Sequence, residues 1–299
     1  MPANQTNGPQ DRETADQPLA TQTPEEVILD SLPAIEGDRF PPYEETEHDK
    51  QVKVLLLDVE LSPNIGYTWG KWDQNVIKFI KQRQIFCFAW GWLGSDVIDS
   101  LALPSFEMYR RFPESNKALL EKMHALYSEA DVIIGHNLDK FDDKQANTDF
   151  ILNGLLTPPP HKTIDTLKIA RTKFRFNSNK LDDLCEMLGI GKKRKHDGFE
   201  LWERCLNGDS AAWEEMMLYN KQDVVLLKGL YYKFRPWMTT HPDLNAKDGK
   251  DACPACKSMN LIRQGYRIVG GGKKPQFQCR DCGKWSRGKC NPDGQWKFS

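Results

Sequence analysis

Three short stretches of this sequence set carboxylates where they could do chemistry together. The first is Asp58-Val59-Glu60, at the end of the apolar run VKVLLLDVEL. In a strand, residues i and i+2 emerge on one face, so two acids stand side by side at the edge of a buried segment. They repel each other and lose hydration, which a divalent cation would relieve; oxygen donors of this kind suit Mg²⁺ or Mn²⁺. The plain alternative is a strand that has ended, with its acids in water. The second stretch is GHNLDKFDD, where Asp142 falls at the expected start of a helix and could be only a capping group, with Asp139 and Asp143 as competitors. The third is Tyr219-Asn220-Lys221-Gln222-Asp223, inside a long helical pattern. Tyr219 and Asp223, four apart, share a face with Met216 and Leu226. A carboxylate among Val224, Val225, Leu226 and Leu227 needs a partner or a metal, unless it only marks the helix edge.

A different chemistry is written near the C-terminus. Cys253-Pro-Ala-Cys256 and Cys279-Arg-Asp-Cys282 are separated by 22 residues. Each C-x-x-C can chelate from a tight turn, and four thiolates complete a tetrahedral shell for one structural Zn²⁺. A redox dithiol is the alternative, and Cys290 is read as an extra thiol. Arg263, Arg267, Lys273, Lys274, Arg280, Lys284, Arg287 and Lys289 surround these pairs, with Tyr266, Phe277 and Trp285 among them. Cations meet phosphates and aromatics stack on bases, so the unit is a candidate nucleic-acid surface; a solvated face over a small aromatic core is the other reading. The loop GKKRK, which holds Lys193 and Arg194, offers a second basic strip together with Lys173 and Arg175.

The elements that must position these groups follow from the pattern. VKVLLLDVEL reads as a central strand buried on both faces, with QIFCFAWGWL and DVIDSLALP as its antiparallel neighbours. Residues 115–129 read as a helix with Ser115 as a possible N-cap, DVIIGHN as a buried strand, and KQANTDFILNG as a helix ended by Gly154. From Thr163 the pattern is mostly helical: NKLDDLCEMLGI ends at Gly189, and SAAWEEMMLYNKQDVVLLKGLYYKF, capped by Asp209 or Ser210, ends before Pro236. Asp165 is expected to cap the helix after it, and His136 to make a local hydrogen bond. The whole is an α/β domain over about residues 50–238. A linker at 239–251 joins it to a unit at 252–299 that is too small to fold without a staple.

The 299 residues are 39% hydrophobic, enough for a sizeable core, and no apolar run reaches the roughly 18 residues of a membrane span. The start lacks the basic and apolar regions of a secretory signal, which predicts a soluble, cytoplasmic protein with no membrane partner and reduced cysteines. The net charge of −1 hides a sorted distribution: −9 over residues 1–50, +1 over 51–238 and +7 over 239–299. Residues 1–48 read as a disordered acidic tail, and the basic end favours a polyanionic partner.

Taken in order, D-x-E, N-x-x-x-F-D and Y-x-x-x-D resemble the DEDD exonucleases of the ribonuclease H-like superfamily. The tyrosine subtype is the nearer match; it includes the proofreading domains of DNA polymerases. LLLDVEL, GHNLDKFD and YNKQD carry the likeness over about residues 52–233, with Phe141-Asp142 giving the best register in the second motif. TIDTLKIARTKFRFNSNKLDDLCEMLGIGKK is also similar to stand-alone exonucleases of this family often encoded by phages, which would place the protein in a host cytoplasm. The resemblance implies a ribonuclease H-like mixed sheet flanked by helices, plus a small zinc ribbon. It implies a catalytic set of Asp58, Glu60, Asp142, Tyr219 and Asp223. The four acids would hold two Mg²⁺ or Mn²⁺ ions, with Asp58 bridging them, and Tyr219 would orient the attacking water. At a tyrosine pKa near ~10 positioning suits it better than proton abstraction. Asn137 and Phe141 would contact nucleic acid, as would Lys193, Arg194, Arg267, Lys273, Lys274 and Arg280. The expected activity is release of nucleoside 5′-monophosphates from 3′ ends, on DNA before RNA, with a separately encoded DNA polymerase as a candidate partner. The residues leave open an RNA-trimming or structure-specific nuclease, and a catalytically weak nucleic-acid-binding or replication adaptor.

Overall fold

A computed structural model describes residues 51–72, 75–194, 197–247, 251–269, 272–290 and 296–298. The acidic segment 1–48 lies outside the described residues, as do Lys195, His196 and the side chains of Lys289 and Cys290.

The apolar run becomes β1 (Val54–Leu61), whose first four residues are buried. After it, β2 (Ile65–Tyr67) and β3 (Lys78–Lys81) pair only with each other, an antiparallel hairpin that the alternation did not reveal. β4 (Ile85–Trp92) then runs antiparallel to β1, pairing Asp58 with Ala89 and Glu60 with Cys87. β5 (Ile98–Ala102) pairs with β4 and is therefore one strand removed from β1, where an immediate neighbour was expected. α1 (Lys117–Glu129) leads to β6 (Val132–Gly135), which lies parallel to β1 on its other side.

α2 (Asp142–Leu152) follows, and Gly154 beyond its end takes a left-handed φ of 71°, the conformation that stops a helix most cheaply. The next segment departs from the helical expectation: Lys162–Asp165 is a fifth strand, β7, parallel to β6. Four residues preceding a helix carry too little periodicity to be told from its first turn. The sheet order is β5-β4-β1-β6-β7, a mixed ribonuclease H-like sheet with β1 at its centre.

Helices α3 (Thr166–Lys173), α4 (Leu181–Met187), α5 (Phe199–Leu206) and α6 (Ser210–Phe234) complete this part. Asp165 caps α3, accepting from Leu167 and Lys168 N–H at 2.9 and 3.2 Å, and Asp209 caps α6. α1 begins after Asn116, not Ser115. The Asn116 amide points away from the helix, donating to the Ile85 carbonyl and to Asp149, so tertiary bonds displace the local cap.

Alternation along β1 splits the interior in two. Leu55, Leu57 and Val59 join Phe86, Phe88, α1 and the first half of α6, through Trp213, Met216 and Tyr219. Val54 and Leu56 join Ile134, Ile164 and the second half of α6, from Val224 to Phe234. The long helix therefore changes cores between Tyr219 and Val224, beside the end of β1.

The C-terminal strands β8 (Leu261–Val269), β9 (Gly272–Cys279), β10 (Trp285–Cys290) and β11 (Trp296–Phe298) form a separate antiparallel sheet. The stretch expected as a linker is packed along its described part. Leu244 is buried in the second core, the Asn245 amide donates to the Ala252 and Cys253 carbonyls, and Lys247 pairs with Asp131 at 2.8 Å.

Candidate active site

Asp58 and Glu60 share the face of β1 that Val54 and Leu56 begin, and α6 lays Asp223 against the same point. Carboxylate oxygens of these three residues lie within 4.8 Å of one another. Asp142 joins from the first turn of α2. It lines the same open cleft of about 500 Å³, with His136, Phe141, Asp182 and Lys193 also on the walls. A backbone N–H from Val59 reaches the Asp142 carboxyl, tying α2 to the strand that carries the other acids.

The electrostatics are those of four acids that share one nearby counter-charge, Lys193. Burial raises Asp58 far above the ordinary carboxylate range, and Asp223, Asp142 and Glu60 push it further the same way. Burial and then Asp223 raise Glu60 to about 8; burial raises Asp142 to about 7. Asp223 is raised by burial although Lys193 opposes this, and its Oδ1 is buried with no hydrogen-bond partner. Hard, desolvated, mutually repelling oxygens with one left unsatisfied fit a divalent cation.

Two residues tune this cluster in ways the sequence did not announce. Asn220 is fully buried, and its Nδ2 donates to Asp58 Oδ2 at 2.6 Å. In YNKQD the polar Lys221, Gln222 and Asp223 follow Asn220 directly, so the sequence does not single it out as the buried amide. Lys193, expected on a phosphate-contacting strip, instead pairs with Asp223 and donates to the Tyr219 hydroxyl at 3.1 Å. Asp182 of α4 holds that loop by accepting from the Lys193 backbone N–H at 2.9 Å. Lys193 is 26 positions from Tyr219 and 30 from Asp223, and no local pattern shows such a pairing. The Tyr219 phenol is pushed up by burial and by Asp223, so it is neutral at ordinary pH.

The remaining residues are spread more widely. Phe141 is 38% exposed on the cleft wall. Asn137 sits at a left-handed φ of 74°, which Asn tolerates, and its N–H donates to Asp165 Oδ1 at 2.9 Å. Its surroundings are a neighbouring groove with Asp165 and Lys168, not the cleft of the acids. His136 bonds Thr166 and the Asn179 carbonyl, each at 2.9 Å. Arg194 is exposed.

Residues 81–235 match the model of the RNase H superfamily. The chain belongs to the RNase H superfamily. The matched segment starts after β1, so Asp58 and Glu60 of this RNase H-like protein precede it. Among solved structures, the family B DNA polymerase from the hyperthermophilic archaeon Pyrobaculum calidifontis is similar at 17% identity with a TM-score of 0.46. The likeness covers 62% of this chain and 25% of that polymerase chain. No curated protein matches.

The second group of donors in this RNase H-like protein is cysteine. The four Sγ atoms of Cys253, Cys256, Cys279 and Cys282 lie within 4.8 Å of one another. Cys253 and Cys282 are 3.6 Å apart, as are Cys256 and Cys279. A disulfide would need about 2.05 Å. Four sulfurs about 2.3 Å from a tetrahedral zinc must stand about 3.8 Å from one another. The two C-x-x-C turns are built alike. Lys257 N–H donates to the Cys253 carbonyl and Gly283 N–H to the Cys279 carbonyl, each at 2.9 Å, and both donors are left-handed, at φ 60° and 74°. The thiols thus fit a zinc site. Lys284, expected to face nucleic acid, is buried near Cys253 and Cys282, where its charge offsets thiolates. Arg267, Lys273, Lys274 and Arg280 are exposed, with Arg267 directly opposite Lys274 across β8 and β9. No helix among the described residues is long and apolar enough to cross a membrane.

Proposed function

We propose that this RNase H-like protein is a metal-dependent 3′–5′ exonuclease of the DEDD tyrosine subtype, acting on DNA in preference to RNA. The observation that carries the reading is the meeting of Asp58, Glu60 and Asp223 oxygens within 4.8 Å, in a cleft shared with Asp142. Positions so far apart in sequence have no structural need to gather more acids than the one lysine beside them neutralises, and the desolvation they suffer is a cost that substrate-linked metal binding offsets.

In this reading the four acids hold two Mg²⁺ or Mn²⁺ ions. When bound, the ions acidify a water and neutralise charge on the scissile phosphate. The protein's own groups do the rest. Asn220 fixes the Asp58 oxygen that it bonds, Tyr219 offers a neutral hydroxyl to orient a water, and Phe141 presents its ring to a terminal base. Asp223 would help to hold an ion, in place of its contact with Lys193. One Zn²⁺ on Cys253, Cys256, Cys279 and Cys282 holds residues 252–299 as a ribbon beside the nuclease domain at 50–238. Exposed Arg267, Lys273, Lys274 and Arg280 meet phosphates. A replication-associated role with a separately encoded polymerase follows from the same reading.

Digesting 3′-labelled and 5′-labelled oligonucleotides of DNA and RNA with Mg²⁺, then with EDTA, tests it. Immediate release of labelled mononucleotide from the 3′ label, abolished by EDTA and by Asp58→Asn, is expected. Internal fragments from both labels would mean an endonuclease, and binding without any cleavage would mean an adaptor.

A further inference from the structure

The hairpin of β2 and β3 leaves β1 immediately after the acid cluster: Ile65 is five positions beyond Glu60. Its base is fastened to the main sheet. Ser62 N–H donates to the Gln84 carbonyl at 2.9 Å, Gln84 N–H to Ser62 Oγ at 3.0 Å, and Arg83 N–H to Asn64 Oδ1 at 2.7 Å. Beyond that base its apolar side chains are all in solvent. Trp69 is 89% exposed, Trp72 75% and Tyr67 60%, and Ile77, Phe79 and Ile80 are exposed with them. A two-stranded hairpin with no buried face is marginal in water, and a concentration of exposed rings marks a binding surface.

Charge selects the occupant. Between Asn64 and Gln84 the sequence has Lys71, Lys78, Lys81 and Arg83 against a single acid, Asp73. Lys81 pairs with Glu114 at the base, while Lys71 stands 5.1 Å over the Trp72 ring, placing a cation and a stacking face together. Alternating rings and cations suit unpaired nucleic acid, whose bases stack while its phosphates meet lysine. A protein partner for so many rings would not call for this excess of positive charge.

We propose that the β2–β3 hairpin is an arm that binds unpaired nucleic acid, stacking bases on Trp69 and Trp72 and leading the strand toward the cleft beside Glu60. Its direction toward the cleft rests on the nuclease reading above; its affinity for a single strand does not.

The test uses the full chain in EDTA, so that binding is read without cleavage. Affinity for a labelled oligothymidylate should fall at least ~10-fold in Trp69→Ala/Trp72→Ala, since each stacked base contributes roughly 5- to 150-fold. Trp69→Phe/Trp72→Phe should keep most of it. Lys71→Gln/Lys78→Gln should lower the salt slope by about 0.7 per phosphate contact. With Mn²⁺, hydrolysis of the small ester thymidine 5′-monophosphate p-nitrophenyl ester should be unchanged in the alanine variant, because that ester is too short to reach the hairpin. Wild-type binding of oligothymidylate by a folded alanine variant overturns the proposal, and a sedimentation shift in the same variant would assign the patch to a second copy. Failure of the wild type to hydrolyse the ester would sink the nuclease reading and leave the binding result standing.

Discussion

The Lys193 ammonium bridges the Asp223 carboxylate and the Tyr219 hydroxyl, two groups on one turn of α6. Its side chain is 26% exposed and that of Asp223 only 3%, so the pair is sheltered without being sealed. The lysine occupies the position of a counter-ion among acids that otherwise repel. Lys193→Gln should therefore destabilise the metal-free protein by about 1–2 kcal/mol, below the cost of breaking a fully buried pair. That corresponds to a fall in Tm of roughly 2–8 °C. Saturating Mn²⁺ should raise the Tm of the variant more than that of the wild type, since nothing then competes for Asp223. Equal melting of the two proteins in EDTA would show that the pair carries no weight.

Lys193 meets Tyr219 at its hydroxyl, at 3.1 Å, and over its ring, 5.1 Å from the centroid, and that ring lies 6.4 Å from that of Trp202, edge to face. Tyr219→Phe keeps the packing and removes the group that would orient a water. Cleavage should drop roughly 10²-fold, the lower end for a side chain that handles a reacting water. The Mn²⁺ thermal shift should stay as in the wild type. An unchanged rate would leave Tyr219 with a packing role only.

Protonation gives a separate check. In the metal-free protein Glu60 is held at about 8 and Asp142 at about 7, against roughly 4 in an unfolded chain. Each binds its proton more tightly when folded. Their contribution to stability is therefore fully present below about pH 4 and is lost as pH rises through 7 to 8. In EDTA the Tm should decline from pH 5 to pH 8, and Glu60→Gln should flatten the decline. The gain in Tm on adding Mn²⁺ should be larger at pH 8 than at pH 5.5. A metal-free Tm independent of pH over that range, in wild type and variant alike, would contradict the arrangement of buried acids.

The cysteine cluster predicts one zinc per chain by elemental analysis. Cys279→Ser should release it and expose residues 252–290 to proteolysis, because zinc supplies about 10–16 kcal/mol of folding free energy in units this small. The sheet that carries Asp58 and Glu60 has its own two cores and should melt nearly as before. Full zinc content in the variant would rule out Cys279 as a ligand.

What could be read directly from the chain was whatever depends on near neighbours. Asp58 and Glu60 share a face because a strand alternates, Tyr219 and Asp223 share one because a helix turns every 3.6 residues, and each C-x-x-C closes within one turn. The order of those motifs pointed to the mixed sheet with helices on its flanks. Tertiary structure alone decided the rest. It made Lys162–Asp165 a strand, moved β5 one place from the centre, turned Asn220 onto Asp58 and drew Lys193 off the surface onto Asp223. Those outcomes depend on which distant segments come to lie side by side, and the packing of two cores against one sheet settles that, where local periodicity carries no record of it.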